Sequence, residues 1–341
     1  MKLALLLLMP VLMLAGAAAT AAESIACLPD TPVPLLVRIG TAPTRPALLI
    51  GGSTPALRVV DAATGALLWS ADGADGAMQR FPAMTAPFAG SLIALDTDND
   101  GVQDRLYAGD MAGRLWRFDL HDGAPATSWA SGAVFADFSN DAGRGFLAPA
   151  DVSLMAPGGA APWFNVAIGT AAPGRSGANN RFYVLRDSAP FVAWDDAQYR
   201  AWQPVREADL LRITAGTPAD VAISAGWFVE LGSGDVLSAS LTVAGRVVFA
   251  VAESGITPGC RSAFTVAALD LGSPRLTVDA TGNWRQPLSP ELAASASFTL
   301  TMPPAGTEAT SARCAFGDTP VAACDVDLRP HRTWWRREDA E

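Results

Sequence analysis

The chain has 341 residues, of which half are hydrophobic and 17% are charged, so it can bury a large core in one large β domain or two smaller ones. Its formal net charge of -10 and its pI near 4.7 argue against nucleic acid or an anionic membrane surface as the main partner. An acidic surface suits divalent cations, although it suits ordinary solubility equally well.

The first residues predict export. Lys2 precedes an apolar run over residues 3–14, and Ala19, Thr20 and Ala21 form a cleavage motif of small residues. We therefore expect a signal peptide over residues 1–21 and a mature protein in the periplasm, at the outer membrane or on the cell surface. The apolar run is too short for a comfortable transmembrane helix, and no later stretch of the sequence is long and apolar enough to span a bilayer.

The body of the chain is rich in short apolar runs of four to eight residues, each bounded by Gly, Pro, Asp or Asn. Such runs predict strands of an all-β fold. Examples are residues 46–50, 57–60, 92–95, 105–108, 182–185 and 246–251. Helical periodicity is weak, and the best candidate for a helix covers residues 195–200.

A degenerate repeat indicates how these strands are organised. An apolar strand that ends in an aspartate and a turn recurs at Asp61, Asp119, Asp187 and Asp270, with spacings of 58, 68 and 83 residues. A four-stranded propeller blade needs roughly 40–50 residues, so each interval fits one blade with loop insertions. We expect a β-propeller over residues 27–275 with four or five blades. The alternative is a β-sandwich whose hairpins resemble one another by chance.

Residues 96–104, DTDNDGVQD, predict a calcium site. Calcium takes six to eight oxygen ligands, and alternate aspartates in a tight loop can direct their oxygens to one ion. Gly101, at position 6, permits the sharp turn that wraps the chain. The predicted ligands are the side chains of Asp96, Asp98, Asp100 and Asp104 and the main-chain carbonyl of Val102.

The loop is not an EF-hand, because Tyr107 stands at position 12 and the flanking residues predict strands. It is therefore a β-hairpin calcium loop. Magnesium is disfavoured because it keeps its own waters and rarely uses cages made entirely of protein. The alternative interpretation is a solvated acidic turn.

The segment 276–341 differs in composition, being rich in Pro, Ser, Thr and Ala, and we expect closing strands or a tail. Four cysteines, an even number in an exported chain, predict disulfides with three possible connectivities: Cys27, Cys260, Cys314 and Cys324. We favour the pair Cys314–Cys324, because these two are near neighbours separated by a turn-rich segment.

The acidic loop and the segments around it resemble the PilY1 family of type IV pilus proteins. Residues 96–120, DTDNDGVQDRLYAGDMAGRLWRFDL, are similar to the family's calcium loop and the strand that follows it. Similar segments continue in the family's order at residues 149–155, 164–170, 180–187 and 226–254. The resemblance covers roughly residues 46–275.

The resemblance implies a modified seven-bladed propeller, here with fewer blades discernible, and calcium as the cofactor. It places the ligands on the same five residues, Asp96, Asp98, Asp100, Val102 and Asp104. It also implies a non-enzymatic role in pilus assembly or retraction, with minor pilins as partners.

Two other functions are compatible with a propeller sequence of this kind. One is a periplasmic or outer-membrane propeller that acts as a scaffold for protein assembly. The other is a quinone-dependent dehydrogenase, since such enzymes also use propellers. The sequence offers only His121 and His331 as histidines, neither near other candidate ligands, and no identifiable catalytic grouping. We therefore expect no catalytic residues.

Overall fold

The protein is built almost entirely of β-strands. A computed structural model describes residues 32–327, apart from gaps at 75, 140–142, 157–160, 173–176, 215–224, 244, 253–260, 271–275, 286–297, 302–310, 317–318 and 323–324. The helical elements in the described part are α1 (Asp196–Ala201) and a 3-10 turn at Glu207–Asp209. No helix among the described residues has the length and apolar character needed to cross a membrane. The predicted signal peptide lies outside the described residues.

Five sheets follow one another along the described chain, and most of their strands pair antiparallel with their neighbours in sequence. The first sheet contains β1 (Val33–Val37), β2 (Arg45–Ile50), β3 (Ala56–Asp61), β4 (Leu67–Asp72) and β5 (Gln79–Arg80). The second contains β6 (Leu92–Leu95), β7 (Arg105–Gly109), β8 (Arg114–Leu120) and β9 (Ala130–Asp137).

The third sheet has the order β10-β11-β12-β14-β13. Its strands are β10 (Asp151–Met155), β11 (Trp163–Gly169), β12 (Asn180–Asp187), β13 (Leu211–Arg212) and β14 (Gly226–Gly232). The fourth contains β15 (Leu241–Val243), β16 (Arg246–Ala252), β17 (Arg261–Asp270) and β18 (Leu276–Arg285). The fifth contains β19 (Phe298–Thr301), β20 (Ser311–Phe316), β21 (Thr319–Pro320) and β22 (Val326–Asp327).

The first three sheets pack face to face. Between the first and second, Trp69 and Trp129 are in edge-to-face contact, with ring centroids 5.3 Å apart. Between the second and third, Phe138 stacks on Tyr183 at 4.0 Å. The second sheet therefore buries both of its faces, and six of the seven residues of β8 are buried, the charged Arg117 and Asp119 among them.

The same packing continues to the end of the described chain. Phe182 of the third sheet stacks on Phe249 of the fourth at 3.8 Å, and Val248 shares a hydrophobic cluster with Phe316 of the fifth. The first strands of neighbouring sheets also meet, β1 against β6 and β10 against β15. Sheets stacked in this way, with their first strands adjacent, are the blades of a propeller. The predicted all-β propeller is confirmed.

The aspartate repeat marks equivalent strands of these blades. Asp61, Asp187 and Asp270 end β3, β12 and β17, and Asp119 is the last residue but one of β8. Each of these strands is the third of its sheet. The repeated sequence motif therefore corresponds to the same strand position in successive blades.

The predicted boundary at residue 275 falls within the fourth sheet. β18 begins at Leu276 and pairs antiparallel with β17 along its length. The change in composition after residue 275 therefore does not coincide with the end of a blade. The extreme C-terminal residues 328–341 lie outside the described residues.

Candidate metal centre

The acidic loop connects β6 and β7, the first two strands of the second blade. These strands pair in register, Leu95 opposite Arg105, so the loop closes a hairpin as predicted. Asn99 and Gly101 have positive φ angles of 65° and 91°. Two left-handed residues so close together turn the chain sharply, and Asn and Gly are the residues that tolerate this conformation best.

Side-chain carboxylates organise the loop from within. Asp96 accepts hydrogen bonds from the main-chain amides of Asn99 at 2.6 Å and Gly101 at 2.8 Å. Asp104 accepts from the amide of Thr97 at 2.7 Å and from its hydroxyl at 3.1 Å. Asp104 therefore joins the two ends of the loop, and Asp96 holds the middle of the loop, at Asn99 and Gly101, against its first residue.

Three of the predicted ligands converge. Asp96, Asp98 and Asp104 each place one carboxylate oxygen within 4.8 Å of the others. Burial raises the pKa of the Asp104 carboxyl, and the neighbouring Asp98 carboxylate adds to this effect. Three oxygens of like charge at this distance repel one another, and hard anionic oxygens are the donors that calcium prefers. The donor set therefore fits calcium in kind.

The other two predicted ligands are placed differently. The Asp100 carboxylate lies outside the group of three, and its Oδ1 accepts a hydrogen bond from the amide of Val102 at 2.7 Å. The Val102 side chain is buried. The roles of the Asp100 carboxylate and the Val102 carbonyl as ligands stay predictions.

A buried ionic cluster joins the second blade to the third. Arg105 Nε donates to Asp119 at 2.8 Å, and Arg117 donates to Asp187 at 3.0 Å. All four side chains are at most 1% exposed. The Tyr107 hydroxyl donates to Asp187 as well. Two cations thus meet two anions, which compensates their charges where water is excluded.

The same arginines hold the segment between β12 and α1. Arg105 donates to the main-chain carbonyls of Ala189 at 2.9 Å and Val192 at 2.7 Å. Arg117 lies over the Trp194 ring at 4.0 Å. Tyr199 of α1 donates its hydroxyl to the carboxylate of Asp119 at 2.6 Å. The sequence did not predict this cluster, although its two aspartates belong to the repeat.

His121 takes part in a second polar contact that the sequence did not indicate. Its Nε2 lies 2.9 Å from Ser131 Oγ, which donates to Asp196 at 2.8 Å. The hydroxyl therefore lies between imidazole and carboxylate, whereas in a catalytic triad the imidazole is in the middle. Ser131 is also buried, so the contact links the second blade to α1. His331 lies outside the described residues.

Cys314 lies in β20 and is buried. Cys27, Cys260 and Cys324 lie outside the described residues. The predicted pair Cys314–Cys324 therefore stays a prediction.

The chain is similar to known proteins in sequence and in structure. No family model matches the chain. A relative from Xylella fastidiosa, "Type IV pilus biogenesis factor PilY1 homolog", is 26% identical over 216 residues, which cover 56% of this chain and 14% of the relative. The chain thus matches a small part of that relative's length.

The structure superposes on the C-terminal domain of PilY1 from Pseudomonas aeruginosa. The TM-score is 0.56 at 15% identity, and the match covers 85% of this chain and 71% of that domain. The quinohemoprotein alcohol dehydrogenase of Comamonas testosteroni matches with a TM-score of 0.34 at 13% identity over 82% of this chain and 40% of the enzyme, which is too low to support an argument.

The fold and the loop define an all-β protein of the propeller class with a candidate metal centre in its second blade. The chain is similar in sequence to a PilY1 homolog and has the fold of the PilY1 C-terminal domain. The resemblance inferred from the sequence is thereby confirmed.

Proposed function

We propose that the protein is a calcium-binding, non-enzymatic component of type IV pilus assembly or retraction. The observation that carries the proposal is the convergence of Asp96, Asp98 and Asp104 in a hairpin of a PilY1-type fold. The relative's name, a type IV pilus biogenesis factor, supports the process.

The residues of the loop have distinct tasks in this proposal. Asp104 joins the two ends of the loop, and Asp96 holds its middle. Asp98, which is exposed, completes the oxygen set from the loop's tip. Asp100 and the Val102 carbonyl are the further ligands that the sequence predicts. A bound calcium ion supplies two positive charges that offset the repulsion among the carboxylates.

We also propose an exported location and partners in the pilus system. Residues 1–21 direct export as a signal peptide, and the mature chain works in the periplasm, at the outer membrane or at the pilus tip. The blades from residue 27 onward form a rigid surface for minor pilins, and the cysteines form disulfides. A rigid interaction platform needs no catalytic pocket.

Calcium titration of the metal-stripped protein tests the site. We expect one site in the wild-type protein. Asp98→Ala should weaken calcium binding by at least about tenfold, since even residues that only orient metal ligands are worth that much. Asp98 suits the test because it is exposed and its carboxylate accepts a hydrogen bond from the amide of Asp100 at 3.1 Å.

Asp72→Ala is the matched control. Asp72 accepts the same kind of bond from the amide two residues on, Ala74, at 2.7 Å, but it lies in the first blade. The Asp72→Ala variant should bind calcium as the wild type does. Equal affinities of Asp98→Ala and the wild type would refute the site, and a wild type without affinity would refute calcium binding altogether.

The role in the cell is tested by strains that carry these alleles. Deleting the gene should reduce surface piliation or twitching. The Asp98→Ala allele should reproduce part of the defect, whereas Asp72→Ala should restore the wild-type behaviour. Normal piliation and twitching in a deletion strain that encodes no second family member would contradict the proposed role.

A further inference from the structure

The first strand of the first blade presents its main chain to the calcium loop. Leu36 of β1 lies opposite Pro46 of β2 in the antiparallel register. Proline has no amide hydrogen, and in an antiparallel pair every second residue directs its main-chain groups away from its partner strand. Leu36 is such a residue, so its amide and carbonyl need partners on the other edge of β1.

Gln103 of the acidic loop provides both partners. Its main-chain amide donates to the Leu36 carbonyl at 3.2 Å, and its side-chain Oε1 accepts from the Leu36 amide. A single loop residue of the second blade thereby pairs with β1 as a neighbouring strand would. This contact joins the first blade to the loop.

The position of Gln103 depends on its neighbours in the loop. The side chain of Val102, the residue before Gln103, is buried. Asp104 is the next residue after Gln103. Its main-chain amide donates to the Leu95 carbonyl at 2.8 Å, and its carbonyl accepts from the Leu120 amide at 2.7 Å. The chain at Asp104 is thus fixed in the sheet, and Gln103 lies one residue from a carboxylate of the candidate metal centre.

We propose that calcium tightens the contact between the first and second blades through Gln103, and that Gln103 is a positioning residue for the calcium site. The proposal rests on the calcium binding proposed above. Repulsion among the carboxylates favours a wider loop, and an ion that offsets this repulsion favours the close arrangement in which Gln103 contacts Leu36. Because coupling is reciprocal, the bonds to Leu36 must in turn strengthen calcium binding.

A second connection limits the effect to this part of β1. The residues after β1 are held by the turn that follows β8. The Gly123 amide donates to the Arg38 carbonyl at 2.9 Å, and the Gly40 amide donates to the Ala124 carbonyl at 2.8 Å. These bonds do not involve the loop. Calcium should therefore change the protection of the Leu36 amide without separating the blades.

Gln103→Met tests the proposal in the full-length protein. Methionine keeps the length of the side chain and removes the acceptor for the Leu36 amide. We expect calcium affinity to fall roughly two- to tenfold, the range expected for one hydrogen bond. In hydrogen–deuterium exchange, calcium should slow exchange of the peptide that contains β1 in the wild type and have little effect on it in Gln103→Met.

Gln79→Met is the matched control. Gln79 of β5 also bridges the first two blades, because its side-chain amide donates to the Ala130 carbonyl at 2.7 Å and accepts from the Ala130 amide at 2.8 Å. Its partner Ala130 lies in β9, two strands away from β7, the strand that follows the loop. Loss of the Gln79 side chain should lower stability and leave both calcium affinity and the calcium dependence of exchange at β1 unchanged.

The outcomes separate this inference from the proposed function. A wild type that binds calcium, together with a Gln103→Met variant of equal affinity and equal calcium-dependent protection of β1, overturns the inference alone. Equal losses of affinity in Gln103→Met and Gln79→Met also overturn it, because the effect would then follow stability. A wild type that binds no calcium overturns both.

Discussion

At the scale of single residues, the best-defined polar chemistry lies in two places, the acidic loop and the ionic cluster. In the loop, three carboxylates converge, and no cation is among their described contacts. A bound metal ion would relieve the repulsion among them. In the cluster, Arg105 and Arg117 already compensate Asp119 and Asp187. The first arrangement suits binding, and the second suits holding blades together.

Removing one charge from the cluster should be costly. Arg117→Met leaves Asp119 and Asp187 buried with less compensation, so we expect the free energy of unfolding to fall by about 3–5 kcal/mol. Urea denaturation of the wild type and the variant measures the change.

Arg38→Met is the comparison for that measurement. Arg38 pairs with Asp122 at the surface, where its side chain is 49% exposed, and a pair of this kind contributes less than about 1 kcal/mol. A similar small loss in both variants would show that the buried cluster does not hold the blades together.

Spacing in the sequence predicted one of these groupings and could not predict the other. The loop aspartates lie within nine residues, so their convergence follows from local turn geometry. Arg105 and Asp187 are 82 residues apart, and only the packing of two blades brings them together. The aspartates of the repeat were visible as strand ends, but their partners were not.

At the scale of elements, hairpins were predictable where a strand, a turn and a returning strand are adjacent. β6 and β7 were predicted almost to the residue, and α1 begins one residue after its predicted start because Asp195 caps it. β5 and β13 have two residues each and pair parallel with a neighbour, so neither leaves a pattern of alternating residues. The boundary that composition predicts at residue 275 falls between β17 and β18, which are paired strands of the fourth sheet.

At the scale of the whole molecule, the fold is a series of sheets that each cover the next. The second blade illustrates this, since it packs on the first blade through one face and on the third through the other. The four or five blades expected from the repeat correspond to five sheets in the described residues. The repeat could not show which sheets touch, because that depends on contacts between strands far apart in sequence.

The position of the acidic loop determines how much of the molecule calcium binding would affect. The loop lies beside β1, where the first two blades meet, so an ion held there would act on a junction between blades as well as on one hairpin. The predicted ligands come from one short segment, and their geometry can be tested directly.

A crystal structure of the full-length protein grown in millimolar calcium is the most direct test. The account predicts one ion in the loop, with oxygens of Asp96, Asp98 and Asp104 at about 2.3–2.6 Å from it. The same structure will show whether Asp100 and the Val102 carbonyl complete the shell. A well-ordered loop that holds no ion, with its three carboxylates turned apart toward solvent, would contradict the account.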